Sequence, residues 1–201
     1  MRKGIRGVIL GLGLVAAAGQ APAADGNGQF GIKGVGGAPC ETYLQAFEKK
    51  DQGYLMYLGW LGGYISATNQ YLPDTFDITP WQSVGLVSMA VANVCRQNPK
   101  ASVLEAVQRV LQGVYPLRLT QASPMTEAKT DKATIRIYQA VLKQAQEKLK
   151  ALGYYKGKPD GKYGPGTRKA LEAFQKDNKL QPTGLPDQAT LLALMNAQPA
   201  K

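Results

Sequence analysis

The run Asp160-Gly161-Lys162-Tyr163-Gly164-Pro165-Gly166-Thr167-Arg168-Lys169-Ala170-Leu171-Glu172-Ala173-Phe174-Gln175 is a turn feeding a helix, and the C-terminal part of the chain reads outward from it. Asp-Gly is a strong turn signal. Gly164 then supplies a small cap residue and Pro165 a first helical position, where a missing N–H costs nothing because that donor has no intrahelical acceptor. Ala170, Leu171 and Phe174 recur at helical spacing on one face, which turns Lys169, Glu172 and Lys176 outward. That face needs a partner. Upstream, Ile137, Val141, Ala145, Leu149 and Leu152 supply one at helical spacing; downstream, Ala189, Leu191, Leu192 and Leu194 supply another, introduced by Asp187 as an N-cap. The spacing predicts three short helices closing one core.

These residues, with Leu149-Lys150-Ala151-Leu152-Gly153-Tyr154-Tyr155 before them and Pro182-Thr183-Gly184-Leu185-Pro186-Asp187 after them, resemble the peptidoglycan-binding domain type 1 family. The resemblance implies a three-helix fold over residues 132–197 that binds cell-wall peptidoglycan, by stem peptide or glycan, and catalyses nothing. Two features depart from the family pattern: Gly166 is softer than the residue usual between the proline and the threonine, and Lys156-Gly157-Lys158 makes the loop more basic. The resemblance also implies a shallow groove beside the loop from Tyr154 to Gly164 and the start of the following helix. There Tyr154 and Tyr163 would pack on apolar parts of a muropeptide, Arg168 would pair with a stem-peptide carboxylate, and Asp160 and Gln175 would hydrogen-bond its amides. Each has a structural reading beside this one. Asp160 and Gly161 suit a turn, Tyr163 suits a half-buried core position, and Gln175 suits the capping of a loop carbonyl.

The N-terminus points to export. Arg2, Lys3 and Arg6 precede the apolar run Gly7 to Ala18, and Ala21-Pro22-Ala23 places small residues where a signal peptidase reads, so residues 1–23 are expected to be a cleaved export signal. The run is shorter than the ~20 apolar residues of a spanning helix, so no stable membrane span is expected after cleavage. A periplasmic, wall-associated location follows. Residues 24–37, with six glycines between Gly26 and Gly37, are expected to be a flexible leader.

Charge divides along the chain. Residues 24–120 hold seven Lys/Arg and seven Asp/Glu, whereas residues 121–201 hold fourteen and seven. Removing the three signal cations from the formal +10 leaves +7, all of it in the second half. A basic surface suits wall polymer bearing free carboxylates; nucleic acid is not expected as a partner, because no nucleic-acid motif is present and the chain is read as exported. Cys40 and Cys95 are the only two cysteines, an even number in a chain leaving a reducing compartment, which favours one disulfide worth roughly 4 kcal/mol on the chain-entropy model. The chain has no histidine. It therefore lacks the usual zinc shell and the usual base of a serine or cysteine hydrolase, so no metal, cofactor or catalytic residue is expected. Glu41, Glu48, Asp74, Asp77 and Glu105 could serve a glycosidase as residue types, but none stands in a lysozyme-type segment, and capping or surface roles are expected for them.

Residues 38–115 read as a helical domain tied by Cys40 and Cys95. Tyr43, Leu44 and Phe47 share a face up to the Asp51-Gln52-Gly53 break; Leu58, Leu61, Gly62 and Ile65 mark a second helix, from Tyr54 to about Asn69. Gly59, Gly62 and Gly63 in that helix suggest close approach of another helix. Val84, Val87, Val91 and Val94 mark a third helix after Asp77-Ile78-Thr79-Pro80, and a fourth starts at Ser102 and Val103. Trp60 and Tyr64, one turn apart, read as core or rim aromatics. Cys40, the run Tyr57-Leu58-Gly59-Trp60-Leu61-Gly62-Gly63-Tyr64, Asn69, Asp77-Ile78, and Cys95 with Asn98-Pro99 resemble the HdeA-like superfamily, which includes acid-stress chaperones and immunity proteins against wall amidases. That resemblance implies an envelope protein partner for residues 38–115. Residues 116–131, flanked by Tyr115-Pro116 and Ser123-Pro124, are expected to be a linker. The whole chain is expected to be all-α. Two classes of function stay open: a wall-anchored protein that grips a partner, or a targeting or regulatory subunit of a separate wall hydrolase, with a hydrolase itself third.

Overall fold

The computed structural model describes residues 25–198. The expected export signal, residues 1–23, lies outside the described residues, as does the first residue of the expected leader. The described residues fall into two separate units, residues 25–32 and residues 33–198. In the first, the Asp25 carboxylate accepts hydrogen bonds from the backbone N–H groups of Asn27 and Gln29 at 2.9 and 2.7 Å, closing a turn.

In the second unit, four helices enclose the first core: α1 (Cys40–Lys49), α2 (Gln52–Tyr71), α3 (Val84–Gln97) and α4 (Val103–Val114). Their starts follow from their sequences. The side chains of Asp51 and Ser83 accept from the N–H groups of Tyr54 and Leu86, and Ser102 closes a capping box with Glu105. Tyr43, Tyr57, Leu61, Ile65, Val87, Val91 and Val107 fill the interior. Tyr43 and Tyr54 bring their hydroxyls to Ser88 Oγ at 2.6 and 3.0 Å, which satisfies polar atoms that burial would otherwise penalise. Cys40 and Cys95 are disulfide-bonded and fully buried, tying the start of α1 to the end of α3 as expected.

Three features differ from the sequence expectation. Within the expected leader, Gly34–Gly37 form a 3-10 turn laid against Trp60, whose indole N–H donates to the Lys33 carbonyl at 2.8 Å. A Cβ on Gly36 would fall 2.0 Å from Trp60 Cζ2, so glycine is required for this approach. The apolar surface that the segment lacks comes from the indole. Conversely, no close helix approach requires the glycines of α2. A Cβ at Gly59 or Gly63 would meet nothing within 4 Å, and one at Gly62 would meet only Val84, at 3.8 Å.

The third difference corrects the all-α expectation. Strands β1 (Met125–Lys129) and β2 (Thr134–Tyr138) pair antiparallel, with Met125 opposite Tyr138 and Lys129 opposite Thr134. Ala128 and Ile137 are buried while Glu127 and Arg136 are exposed, the alternation of a half-buried hairpin. Ile137, assigned by spacing to a helix, thus sits on a strand; β-branched residues at alternate positions suit the pleat better than a helical turn. Within residues 116–131, β1 is joined by Leu119, which is buried and exchanges backbone hydrogen bonds with the Phe76-Asp77 segment at 2.7 to 3.2 Å.

Helices α5 (Gln139–Ala151), α6 (Pro165–Asp177) and α7 (Gln188–Asn196) then close the second core around Leu142, Leu149, Leu171, Phe174, Leu191 and Leu194. Gly164 is the N-cap of α6 with Pro165 at its first position, and Asp187 caps α7 through the Thr190 N–H at 2.8 Å, both as expected. The two cores meet along a seam. Gln188 on α7 accepts from the Ser83 N–H at 3.0 Å and donates to the Trp81 carbonyl, and Phe76 packs edge-on to Tyr138 with ring centroids 5.8 Å apart.

Candidate functional site

Two buried glutamines shape the surface of the second core. Gln146 on α5 accepts at Oε1 from the N–H groups of Asp160 and Gly161, both at 2.8 Å, and its Nε2 faces Lys162 O, Thr167 Oγ1 and Asp160 Oδ1 at 2.9, 2.9 and 3.2 Å. Gln175 on α6 repeats the arrangement one loop later. Its Oε1 accepts from Gly184 N–H at 2.8 Å, and its Nε2 faces Thr190 Oγ1, Leu185 O and Thr183 Oγ1 at 2.8, 3.0 and 3.0 Å. Each glutamine thus fastens an x-Gly turn to the threonine in the first turn of the next helix. Among the described residues no buried side-chain nitrogen or oxygen lacks a partner.

The five residues expected to bind ligand are distributed by this scaffold. Gln175 is fully buried, with its amide committed to the module itself. Asp160 is exposed, yet its Oδ1 accepts from Lys162 N–H at 2.9 Å; that bond, with the one from Gln146, holds its carboxyl below the usual aspartate range. Tyr154 packs edge-on to Phe174 and donates to Asp177 Oδ2 at 2.9 Å. Asp177 ends α6, nine residues beyond Arg168, about 13 Å along the axis at 1.5 Å per residue. Tyr154 and Arg168 therefore stand at opposite ends of the helix rather than in one cleft. Tyr163 is half-buried and donates to the Gly184 carbonyl at 2.7 Å. Burial is the main cause of its raised hydroxyl pKa.

Arg168 lies in the first turn of α6, where its Nε donates to Glu172 at 2.8 Å. Its stem crosses Gly184, whose φ of +68° and lack of a Cβ are both needed: a Cβ there would meet Arg168 Cγ at 2.7 Å. Beyond this crossing, Arg168 borders a groove of about 440 Å³ with Asp131 and Lys132 of the β1–β2 turn and Gln181, Pro182 and Thr183 of the loop before α7. The hairpin wall lies outside the groove expected from the sequence. The signal for it was the alternation in Thr134-Ile135-Arg136-Ile137-Tyr138, with Asp131-Lys132 in the turn before it.

Three short helices, loops pinned by buried amides and a groove carrying both signs of charge make up the C-terminal module. Residues 139–194 match the family model described as "Putative peptidoglycan binding domain", so the C-terminal region carries the family likeness read from the sequence. The localization factor PodJL of Caulobacter vibrioides is 41% identical over 100 residues, which cover 50% of this chain and 10% of that protein. A protein of Synechococcus elongatus named "Putative OxPP cycle protein OpcA" is 31% identical over 104 residues, covering 52% of this chain and 23% of its own length. The chain therefore spans between about a tenth and a quarter of these curated relatives. No solved structure matches it significantly.

Proposed function

We propose that this chain is an exported, noncatalytic peptidoglycan-binding protein of the periplasm. Its C-terminal module attaches to cell-wall muropeptides, and residues 38–115 engage an envelope protein in an immunity or envelope-stress role. The observation that carries the reading is the family match over residues 139–194, the stretch in which Tyr163 and Arg168 fall. The buried disulfide fits an oxidising compartment. A noncatalytic reading is supported by the tasks of three of the five carboxylates considered for hydrolysis: Glu48 pairs with Arg96, Asp77 accepts from the Thr79 N–H, and Glu105 closes the α4 cap. A partner surface on the N-terminal helices is supported by the exposure of Leu55, Met56, Tyr71 and Met89. Among the described residues no helix is long and apolar enough to cross a membrane.

Co-sedimentation with purified sacculi tests the wall-binding part. The full chain should pellet. Arg168→Ala should lower the pelleted fraction several-fold with an unchanged circular-dichroism spectrum, while Tyr154→Phe, at the far end of α6, should pellet like the wild type. Undiminished pelleting of Arg168→Ala would remove the groove from the reading. The second reading, a targeting or regulatory subunit of a separate wall hydrolase, draws support from the match to a protein named as a localization factor. Capture of a hydrolase from envelope extract by the full chain would favour it; capture of a toxin or of unfolded clients would favour the first.

A further inference from the structure

The hairpin turn that supplies Asp131 and Lys132 precedes residues 139–194, so the family match says nothing about this wall of the groove. Its chemistry is specific. Asp131 faces a groove whose other charged wall is Arg168, and its side chain makes no hydrogen bond or ion pair among the described residues. On Arg168 the bond to Glu172 uses Nε, which fixes the plane of the guanidinium and leaves the Nη edge for a ligand; the side chain is 45% exposed. Glu172 chiefly, with a smaller contribution from Asp131, holds the guanidinium above the ordinary arginine range, so it stays charged. A polyanion would be repelled by Asp131. A neutral glycan would leave Asp131 without a counter-charge and the Nη edge of Arg168 without a charged acceptor. A ligand that presents an ammonium and a carboxylate on one carbon answers both groups.

We propose that this groove binds the zwitterionic end of a diamino diacid in a wall stem peptide. The Nη pair of Arg168 takes the carboxylate in a two-bond fork and Asp131 takes the ammonium. A lysine in place of the diacid would offer the ammonium alone. The inference rests on the reading that the module binds peptidoglycan, and adds which chemical group of that polymer is read and by which residues.

The test is titration calorimetry of the full chain with four soluble tripeptides, each L-Ala-γ-D-Glu followed by a different third residue. The four residues are free meso-diaminopimelate, its distal amide, its distal N-acetyl derivative, and lysine. The wild type should bind the free form about tenfold more tightly than any of the others, the scale of one charge-assisted hydrogen bond. Arg168→Gln should abolish the preference for free acid over amide. Asp131→Asn should abolish the preference for free amine over N-acetyl while keeping that for acid over amide, a crossed pattern that general unfolding cannot produce. Equal binding of all four peptides by the wild type, or no binding of any while sacculi still pellet the chain, overturns the proposal and leaves wall binding standing. Loss of both peptide binding and pelleting overturns both.

Discussion

Gln175 shows how far a residue's type can mislead about its place. A glutamine on a helix facing a suspected groove reads as a ligand contact, yet this one is fully buried and holds together the Thr183-Gly184 turn and the start of α7. Gln175→Leu would keep the volume but strand the Gly184 N–H and the Leu185 carbonyl. Each stranded buried group costs about 1 to 3 kcal/mol, so urea denaturation should show a loss of about 2 to 6 kcal/mol. The exposed Arg168→Ala should change stability by no more than about 0.5 kcal/mol. The capping of a loop carbonyl by Gln175 was among the sequence expectations, and the shared role of the two glutamines becomes legible on comparing the chain with itself. Asp160-Gly161, Thr167 and Ala170-Leu171 recur as Thr183-Gly184, Thr190 and Ala193-Leu194, a short repeat whose conserved spacing is what lets each glutamine reach both turn and helix. Asp160 adds a pH dependence. Its folded-state pKa lies below the unfolded value, mainly through the Lys162 N–H bond, so its contribution is complete above the unfolded value and disappears as pH falls through the lowered folded one. The stability gap between wild type and Asp160→Asn should therefore shrink as the pH drops below about 4, read from urea midpoints at successive pH values.

At the scale of elements, the helices were legible because their signals are local: caps at Asp51, Ser83, Ser102 and Asp187, and an apolar face at helical spacing in each. The hairpin and the 3-10 turn were not, because tertiary contact decides them. Met125-Thr126-Glu127-Ala128-Lys129 is polar enough to pass for a linker and becomes a strand through Ala128 packing inward and pairing across to β2. Likewise Gly34–Gly37 has no side-chain pattern beyond Val35, and its order comes from the indole of Trp60. Gly36→Ala tests that dependence directly. The added methyl would overlap the rigid indole at Cζ2, and neither the ring nor the closely applied backbone yields cheaply, so the turn should lift off Trp60. The expected readout is a red-shifted, more quenchable tryptophan emission with a loss of about 1 to 3 kcal/mol, the usual cost of overpacking. An unchanged emission spectrum would mean the turn adjusts in place.

For the molecule as a whole, the question is whether two hydrophobic cores behave as one cooperative body. The geometry favours coupling. Trp81, which precedes α3 in the first group of helices, packs against the second core, and its carbonyl is held by Gln188 of α7. Leu119 belongs to the second core by its side chain and to the Asp77 segment by its backbone. Gln188 lies at the seam, whereas Leu119 also fills the second core, so removing both should loosen the seam and weaken the second core while sparing the first. Leu119→Ala with Gln188→Ala would delete a buried side chain, worth about 2 to 5 kcal/mol, together with the hydrogen bonds to Trp81 and Ser83. Under oxidising conditions that keep Cys40 and Cys95 joined, the wild type should melt in one calorimetric transition. The double variant should show two, the lower one belonging to the second core, because the disulfide constrains the unfolded state of the first by roughly 4 kcal/mol and lends nothing to the second. A single transition in the variant, merely shifted downward, would show that the cores are coupled by more than this seam.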